Sequence, residues 1–460
     1  MYRPASLPLL HLTFIIALSI GFRYFIKNCY QNDWQSTYEV VTPVNSFKRL
    51  EEALWLKSKG IHPYDVGYYH DSPFYLCLFQ QLSRLDSFQF LTSHIFIILD
   101  IFSVVLLFCL PNAYKRKFSH ETSPETSLIH YAKHEKMTQS AANLDVSRSR
   151  LREFLQRQIY SHLPQIISLG YALNPFAVLS CVAKSTQTIE NTAVFLLALL
   201  LLLNYKFLST LLLALCIFVD PHLVVLIPPS CLLLTSDTNS NRYGFMTVVV
   251  SVVSFLQLWL ILSFYFLNDG AKPISDISAV GWKFLQSYFG FIFKVEDIQP
   301  NIGINWYFFG LIFPNFRNFF LFVCQFQILF YMIPITLKFR KYPFVAWWIL
   351  LCFSGLMKSY PSTADLATMF AFIPLIYHLL EKSDLMFVLH LFILICFFII
   401  YVLRILFVHT VAINVNFYFF ACLALRVLIF FLINDVMKAV LKRDFLVKYC
   451  YRELNETKSD

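Results

Sequence analysis

The sequence predicts an all-α polytopic membrane protein, and three observations predict it. Of the 460 residues, 58% are hydrophobic and only 14% are charged, whereas a globular domain carries about 25% charged residues. Aromatic residues make up 18%, with 50 Phe and 25 Tyr, which suits lipid-facing helices and interfacial belts. The basic residues, within a net charge of +9, lie in short segments between apolar runs. They form no stripe with interleaved aromatics, so nucleic acid is not an expected partner. About 10–12 transmembrane helices are expected, mixed with short re-entrant or amphipathic ones, because several runs fall short of the roughly 20 residues a span needs.

The elements follow in chain order. The run 7–25 is long for a signal-peptide core and shows no small-residue cleavage site before Lys27, so it reads as a retained anchor. Residues 27–71 are polar and charge-balanced. Within them Phe47, Leu50 and Leu54 recur at helical spacing, with Ser46 placed to cap and Gly60 to terminate. This is an amphipathic helix lying on a membrane face or on the bundle. Apolar runs follow at 73–82, 88–110, 165–183, 192–205, 207–219, 223–234, 245–267, 306–313, 319–337, 344–357, 366–380, 385–407 and 411–433.

Lys and Arg concentrate in 112–163, at Lys338, Arg340 and Lys341, and in the tail. The positive-inside rule makes 112–163 a basic cytosolic loop and 435–460 a cytosolic tail. It sends 27–71 and 268–305 to the opposite side, the lumen if the membrane is that of the endoplasmic reticulum. Residues 1–460 therefore form a single multi-spanning membrane domain. The eleven cysteines are scattered singly with no Cys-x-x-Cys pair, so neither a disulfide framework nor a zinc knuckle is expected.

The most abrupt local feature is the octet Lys358-Ser-Tyr-Pro-Ser-Thr-Ala-Asp365, set between two apolar runs. Ionisable residues at membrane depth are expensive and mark candidate sites. Lys358 with Asp365 has two readings: a buried ion pair, or a polar pocket for a phosphate or sugar headgroup. The segment 174–191 carries a second break. Asn174-Pro175 interrupts a helix, and Lys184-Ser-Thr-Gln leads to Glu190. It reads either as a loop with a charged helix start or as the other half of one polar site.

Asn414 and Asn416 follow the break at His409-Thr410. They suit interhelical hydrogen bonding and sugar binding equally, since a carboxamide both donates and accepts. Asn301 and Asn305 precede the run 306–313 and belong to a plain helix-entry turn or to the same polar rim. His130 and His134 lack a third ligand, so no metal site is expected. No nucleophile elbow, phosphate loop or Asp-x-Asp is present, so no catalytic residue and no cofactor is assigned.

Several blocks together resemble PIG-U, the multi-spanning subunit of the glycosylphosphatidylinositol (GPI) transamidase. They are Glu39-Val-Val-Thr-Pro-Val-Asn-Ser-Phe-Lys-Arg49, Gly60-Ile-His-Pro-Tyr64, 174–192, Pro300-Asn-Ile-Gly-Ile-Asn-Trp-Tyr-Phe-Phe309, Lys358-Ser-Tyr-Pro361 and Asn414-Val-Asn-Phe417. The resemblance implies an endoplasmic-reticulum complex that removes a C-terminal signal from a precursor and joins the new carboxyl end to GPI. It implies a non-catalytic role here, with chemistry in a caspase-like partner subunit beside other accessory membrane subunits. It associates Asn414 and Asn416 with GPI contact, to which Lys358 is added. Lys184, Asp365, Asn301 and Asn305 are the expected polar rim, and the precursor's signal is a further expected ligand. The family also resembles the membrane-embedded, GT-C-like mannosyltransferases in architecture. The alternative function is therefore an endoplasmic-reticulum glycosyltransferase using a lipid-linked sugar donor, with Glu39 or Asp71 as its carboxylate.

Overall fold

In the computed structural model the described residues are 6–85, 88–118, 161–235, 241–267, 283–380, 383 and 385–459. Among them every regular element is helical. Most of the loop 112–163, with His130 and His134, lies outside the described residues.

Helix α1 (Ser6–Gln35) leads to the amphipathic α2 (Phe47–Ser58), α3 (Pro73–Leu82) and α4 (Phe88–Lys117). The bent pair α5 (Leu163–Ala172) and α6 (Pro175–Val182) follows, then α7 (Gln187–Leu202) and α8 (Lys206–Val219). A 3-10 turn, Pro221–Leu226, enters α9 (Ile227–Thr235), which precedes α10 (Asn241–Leu267). The second half holds α11 (Asn305–Leu311), α12 (Pro314–Lys338), α13 (Pro343–Met357), α14 (Thr363–Phe372), α15 (Met386–Arg404) and α16 (Val415–Ser459).

Six helices are long and apolar enough to cross a membrane, and a seventh span results if α5 and α6 count as one. The rest of the expected spans are apolar helices of 10–17 residues. At 1.5 Å per residue such pieces fall short of the roughly 30 Å hydrocarbon layer. Their ends therefore lie within the bundle, and each end needs internal partners for its backbone groups.

Helix α13 is the centre. Every residue from Pro343 to Leu356 is buried, as expected of a helix apolar all round. It packs on α9, α12, α14, α16 and the 3-10 turn. Trp347 and Trp348 are fully buried, and the Trp348 indole donates to the Met369 carbonyl at 2.9 Å.

The bend between α5 and α6 is 48°. It falls at Asn174-Pro175, where proline supplies no N–H and the Asn174 side chain accepts from Phe176 N at 2.9 Å. Helix α2 buries Phe47, Leu50, Ala53 and Leu56, and it packs on α3 rather than standing free. Phe47, Phe79 and Phe96 form an aromatic cluster there, with Phe47 edge-on to the other two. The last helix continues through residue 435, where the tail is expected to begin. It runs unbroken to Ser459 because no Gly or Pro interrupts it.

Among the described residues, Lys117 and Lys341 of the basic clusters gather at one end of the bundle. Lys117 Nζ reaches the Leu201 carbonyl at 2.8 Å, and Tyr114 meets His378 at 3.5 Å. Lys341 pairs with Asp444 at 3.2 Å. The loops after α1 and α2 occupy the opposite end with the tip of α10, where Lys57 Nζ reaches the Phe266 carbonyl at 3.2 Å.

One buried ion pair pins α1. Arg23 binds Asp100 of α4, both fully inaccessible. The same guanidinium donates to Ser19 Oγ at 2.6 Å and the Ala172 carbonyl at 2.9 Å, while Tyr171 donates to Asp100 at 2.7 Å. Asp100→Ala should destabilise the protein by about 3–5 kcal/mol, because it strands a buried guanidinium. Arg23→Met combined with Asp100→Leu should recover most of that loss, as read by thermal unfolding in detergent. A double variant no more stable than Asp100→Ala would refute the pairing as the cause.

Candidate functional site: a buried ionic hub and an exposed asparagine pair

The octet at 358–365 forms the junction between α13 and α14. Lys358 Nζ lies 2.7 Å from Asp365, 2.8 Å from Asp220 and 3.2 Å from Glu190. All four side chains are less than a tenth exposed. The ammonium donates to Glu190 and Asp365 and is in ion-pair contact with Asp220. Three separate elements supply them: α7, the loop between α8 and the 3-10 turn, and α14.

The neighbours of Lys358 are equally engaged. Ser362 and Asp365 form a capping box at the start of α14, the Asp365 carboxylate accepting from Ser362 N at 2.8 Å. The Tyr360 hydroxyl accepts from Asp297 N at 2.9 Å, and its ring stacks on Phe291. Ser359 accepts from Gln325 at 2.8 Å. The Asp220 side chain also accepts from His222 N at 3.0 Å. A small chamber of about 40 Å³ abuts the hub, lined by Asp71, Tyr75, Glu190, Asp220, His222 and Lys358 among others. It has room for a few water molecules, not a sugar ring. Asp71 accepts from Ser72 N at 2.7 Å and from Thr186 Oγ1 at 2.9 Å, yet burial pushes its carboxyl up to about 8.

The second break sits beside the first. Ser180 is 3.3 Å from Thr363, Asn191 donates to the Ala364 carbonyl at 2.9 Å, and Glu190 joins the hub. Lys184 itself points elsewhere. It adopts φ +56°, the left-handed turn that closes α6. Its ammonium lies over the Phe47 ring, 5.6 Å from the centroid. The two breaks converge, but the two lysines do not share one site.

Asn301 and Asn305 are buried and do not line the chamber, and the Asn301 carbonyl faces Cys422 of α16. Asn301 builds the turn: its side chain accepts from Gly303 N at 2.7 Å, and its carbonyl accepts from the Trp306 indole at 3.0 Å. A Cβ on Gly303 would stand 2.7 Å from the Asn301 side chain and 3.0 Å from Pro361. Trp306 lies against the Tyr418 ring, and Tyr307 stacks on Phe419 at 3.9 Å. The turn thus connects the octet to the start of α16.

Asn414 and Asn416 are exposed there. Asn414 Oδ1 accepts from Asn416 N at 2.9 Å, and Tyr307 donates to Asn416 Oδ1 at 2.6 Å. Large apolar side chains surround the pair: Val411, Phe417 and Phe420 are all exposed. Val411 has φ +51°, a strained state for a β-branched residue.

The expectation that Lys358 stands on an open rim with the asparagines meets a different geometry. Lys358 and Asp365 are internal, Lys184 is apart, and only Asn414 and Asn416 reach the surface. Sequence reading missed Asp220, His222 and the Arg23–Asp100–Tyr171 cluster. Arg23 and Asp100 had a signal, each an isolated charge inside an apolar run, and Asp220 falls in the short gap between two such runs. It also left Glu39 as a candidate catalytic carboxylate. Glu39 is bound by Arg404 and Tyr418, and its backbone carbonyl accepts from Thr363 N at 2.9 Å.

Fold and site together define a polytopic helical membrane protein that uses its buried charges to join short helices and leaves a neutral carboxamide pair at one end. The chain belongs to the PIG-U family: the family model described as "GPI transamidase subunit PIG-U" matches residues 15–425. It is 29% identical over 419 residues to "GPI-anchor transamidase component PIGU" of Homo sapiens, with 89% of each chain covered. It is 27% identical over 345 residues to "GPI transamidase component GAB1" of Saccharomyces cerevisiae, covering 75% of this chain and 72% of that one. The Schizosaccharomyces pombe "GPI transamidase component GAB1 homolog" is 25% identical over 454 residues, with 95% of each covered.

Two outcomes follow. Gly303→Ala should cost about 1–3 kcal/mol through overpacking against Asn301 and Pro361, measurable as lower thermal stability. Asp71 gives a pH signature. Its carboxyl rises from 3.8 to about 8 on folding, so between about pH 4 and 8 the folded state holds a proton the unfolded state lacks. Its contribution to stability therefore falls as pH rises through that window and levels off above it. Asp71→Asn should gain stability relative to the parent between pH 5 and pH 8, and a constant difference across that range would refute the assignment.

Proposed function

We propose that this chain is a non-catalytic subunit of a GPI transamidase in the endoplasmic-reticulum membrane. It holds the GPI lipid beside the active site of a caspase-like partner subunit, in a complex with other membrane subunits. The observation that carries this reading is the exposed pair Asn414 and Asn416 within a field of exposed apolar side chains. Carboxamides suit a glycan and phosphate headgroup, while the apolar surround suits acyl chains. With the basic end cytosolic, the asparagine pair and the loops 27–71 and 268–305 fall on the luminal side. Lys358 acts from behind, as the hub on which the supporting turn rests. The precursor's C-terminal signal is a second ligand of the same apolar region. Gathering both reactants raises their effective concentration without chemistry in this chain.

The glycosyltransferase alternative needs a carboxylate free to meet a sugar. Glu39 is engaged by Arg404 and Tyr418, and Asp71 lies in a chamber of about 40 Å³. Both features weigh against it. The test replaces Asn414 and Asn416 together by Ala. The transamidase complex should be recovered at normal yield while GPI attachment falls on the order of tenfold, from the loss of hydrogen bonds worth about 0.5–1.5 kcal/mol each. Normal attachment by the double variant would refute the reading, and mannosyl transfer abolished by Glu39→Gln would favour the alternative.

A further inference from the structure

We propose that the cleft between α5, α6, α14 and α15 holds one fatty acyl chain of a cytosolic-leaflet glycerophospholipid. The leaflet rests on the orientation given under the proposed function; the cleft itself stands on separate observations. It measures about 360 Å³, against about 40 Å³ for the chamber at the hub. Ile167, Tyr171, Phe176 and Ala371 make a buried floor. Ile166, Gly170, Leu173 and Leu394 make an exposed rim, on a face made of the bent pair and the long apolar α15. Hydrocarbon therefore lies at its mouth.

The wall excludes water as the occupant. Its polar side chains are engaged locally: Tyr171 donates to Asp100 at 2.7 Å, Asn174 accepts from Phe176 N at 2.9 Å, and His390 Nδ1 lies 2.6 Å from the Met386 carbonyl. At roughly 30 Å³ each, a dozen waters would fill the space, and each needs two to four polar partners. An empty cleft would forfeit the dispersion contacts of its lining. Capacity then selects the filler. A cavity of about 150 Å³ takes a benzene ring, so this one scales to roughly 14 carbons. That matches an acyl chain; it is too small for a sterol or a polyprenyl chain, and far too narrow for a helix about 10 Å across.

Gly170 points the same way. Glycine weakens a helix interior, and here neither a positive φ nor crowding requires it: a Cβ would meet nothing within 4 Å. The space a side chain would take is the cleft. Depth follows from the rings. His390, in the first turns of α15, lies against Phe370, whereas Phe176 is edge-on to Phe397 further along the helix at 4.7 Å. The opposite end of α15 carries Arg404 to Glu39. The chain thus enters at the level of His390, from the basic end, and stops against Phe176. It backs α14, which bears Phe370 on the cleft and Asp365 on the hub.

The experiment places the whole transamidase complex carrying this chain in phosphatidylcholine nanodiscs. The probe is a phosphatidylcholine with a diazirine at the end of one chain, and labelled residues are mapped by mass spectrometry. Label should reach the floor at Phe176 or Ala371, beyond the reach of a lipid lying on the outer surface. Gly170→Phe fills the cleft from a position with room for it. It should leave complex recovery unchanged and cut floor labelling about tenfold or more. A diazirine beside the ester should label Ile166 and His390 instead.

Label confined to outward residues such as Phe398, or floor label undiminished in Gly170→Phe, would overturn the site. Equal floor labelling by a sterol diazirine would overturn the acyl assignment, and reversal of the two chain positions would overturn the leaflet. Loss of the complex by a Gly170→Phe chain that still folds would mean that a partner's side chain fills the cleft. If that variant does not fold, Leu394→Trp decides, since it closes the rim from the exposed side and should give the same loss of label. Normal GPI attachment by the double-alanine variant would remove the proposed function and leave the cleft standing.

Discussion

Lys358 and its three carboxylates constrain everything around them. Taking a charge out of water costs several kcal/mol, and partners repay it only when geometry is good. One ammonium can be satisfied here only if α7, the entrance to the 3-10 turn and α14 all end at the same point as α13. Between helices in lipid, apolar contact discriminates poorly, because the lipid is as apolar as the side chains. A buried charge that tolerates one arrangement supplies the missing specificity. That matters most for this chain, since α7, α8, α9, α13 and α14 are too short to be positioned by the membrane alone.

From the hub, order passes outward through contacts rather than along one helix. Pro361 meets Gly303, the 301–303 turn seats Trp306, and Tyr307 reaches Asn416. In the other direction Thr363 N binds the Glu39 carbonyl, and the Glu39 carboxylate binds Arg404 and Tyr418 on the last two helices. Both routes converge on the start of α16. The exposed asparagines are thus supported from two sides by buried groups, the arrangement that the proposed function asks of them, since a preorganised residue keeps its geometry without ligand. Exposure and rigidity are divided between different residues: the charges are interior and the surface pair is neutral.

Much of this was readable locally. Asn174-Pro175 marks a bend, Gly60 has the positive φ expected of a helix terminator, and Ser362 with Asp365 spells a capping box. These depend on residues within a few positions of one another. The unbroken α16 was less readable, because the switch from apolar to charged composition near 435 looks like a boundary while nothing in the backbone stops the helix. Lys358 was readable as an anomaly but not as a hub. Asp365 is its neighbour in the chain, whereas Glu190 is 168 residues away, and no periodicity reports a contact at that distance.

The sequence by itself determined that the chain is helical and membrane-embedded, where its breaks fall, and which family it belongs to, because those follow from composition, local propensity and motif order. The tertiary structure alone decided which polar residues face inward. Lys358 and Lys184 look alike in the chain, each a lysine before hydroxyl residues at a helix break. One is enclosed by three carboxylates and the other lies over an aromatic ring. The difference is set by which distant carboxylates the packing of short helices brings within 3.2 Å, and that distance exists only in three dimensions.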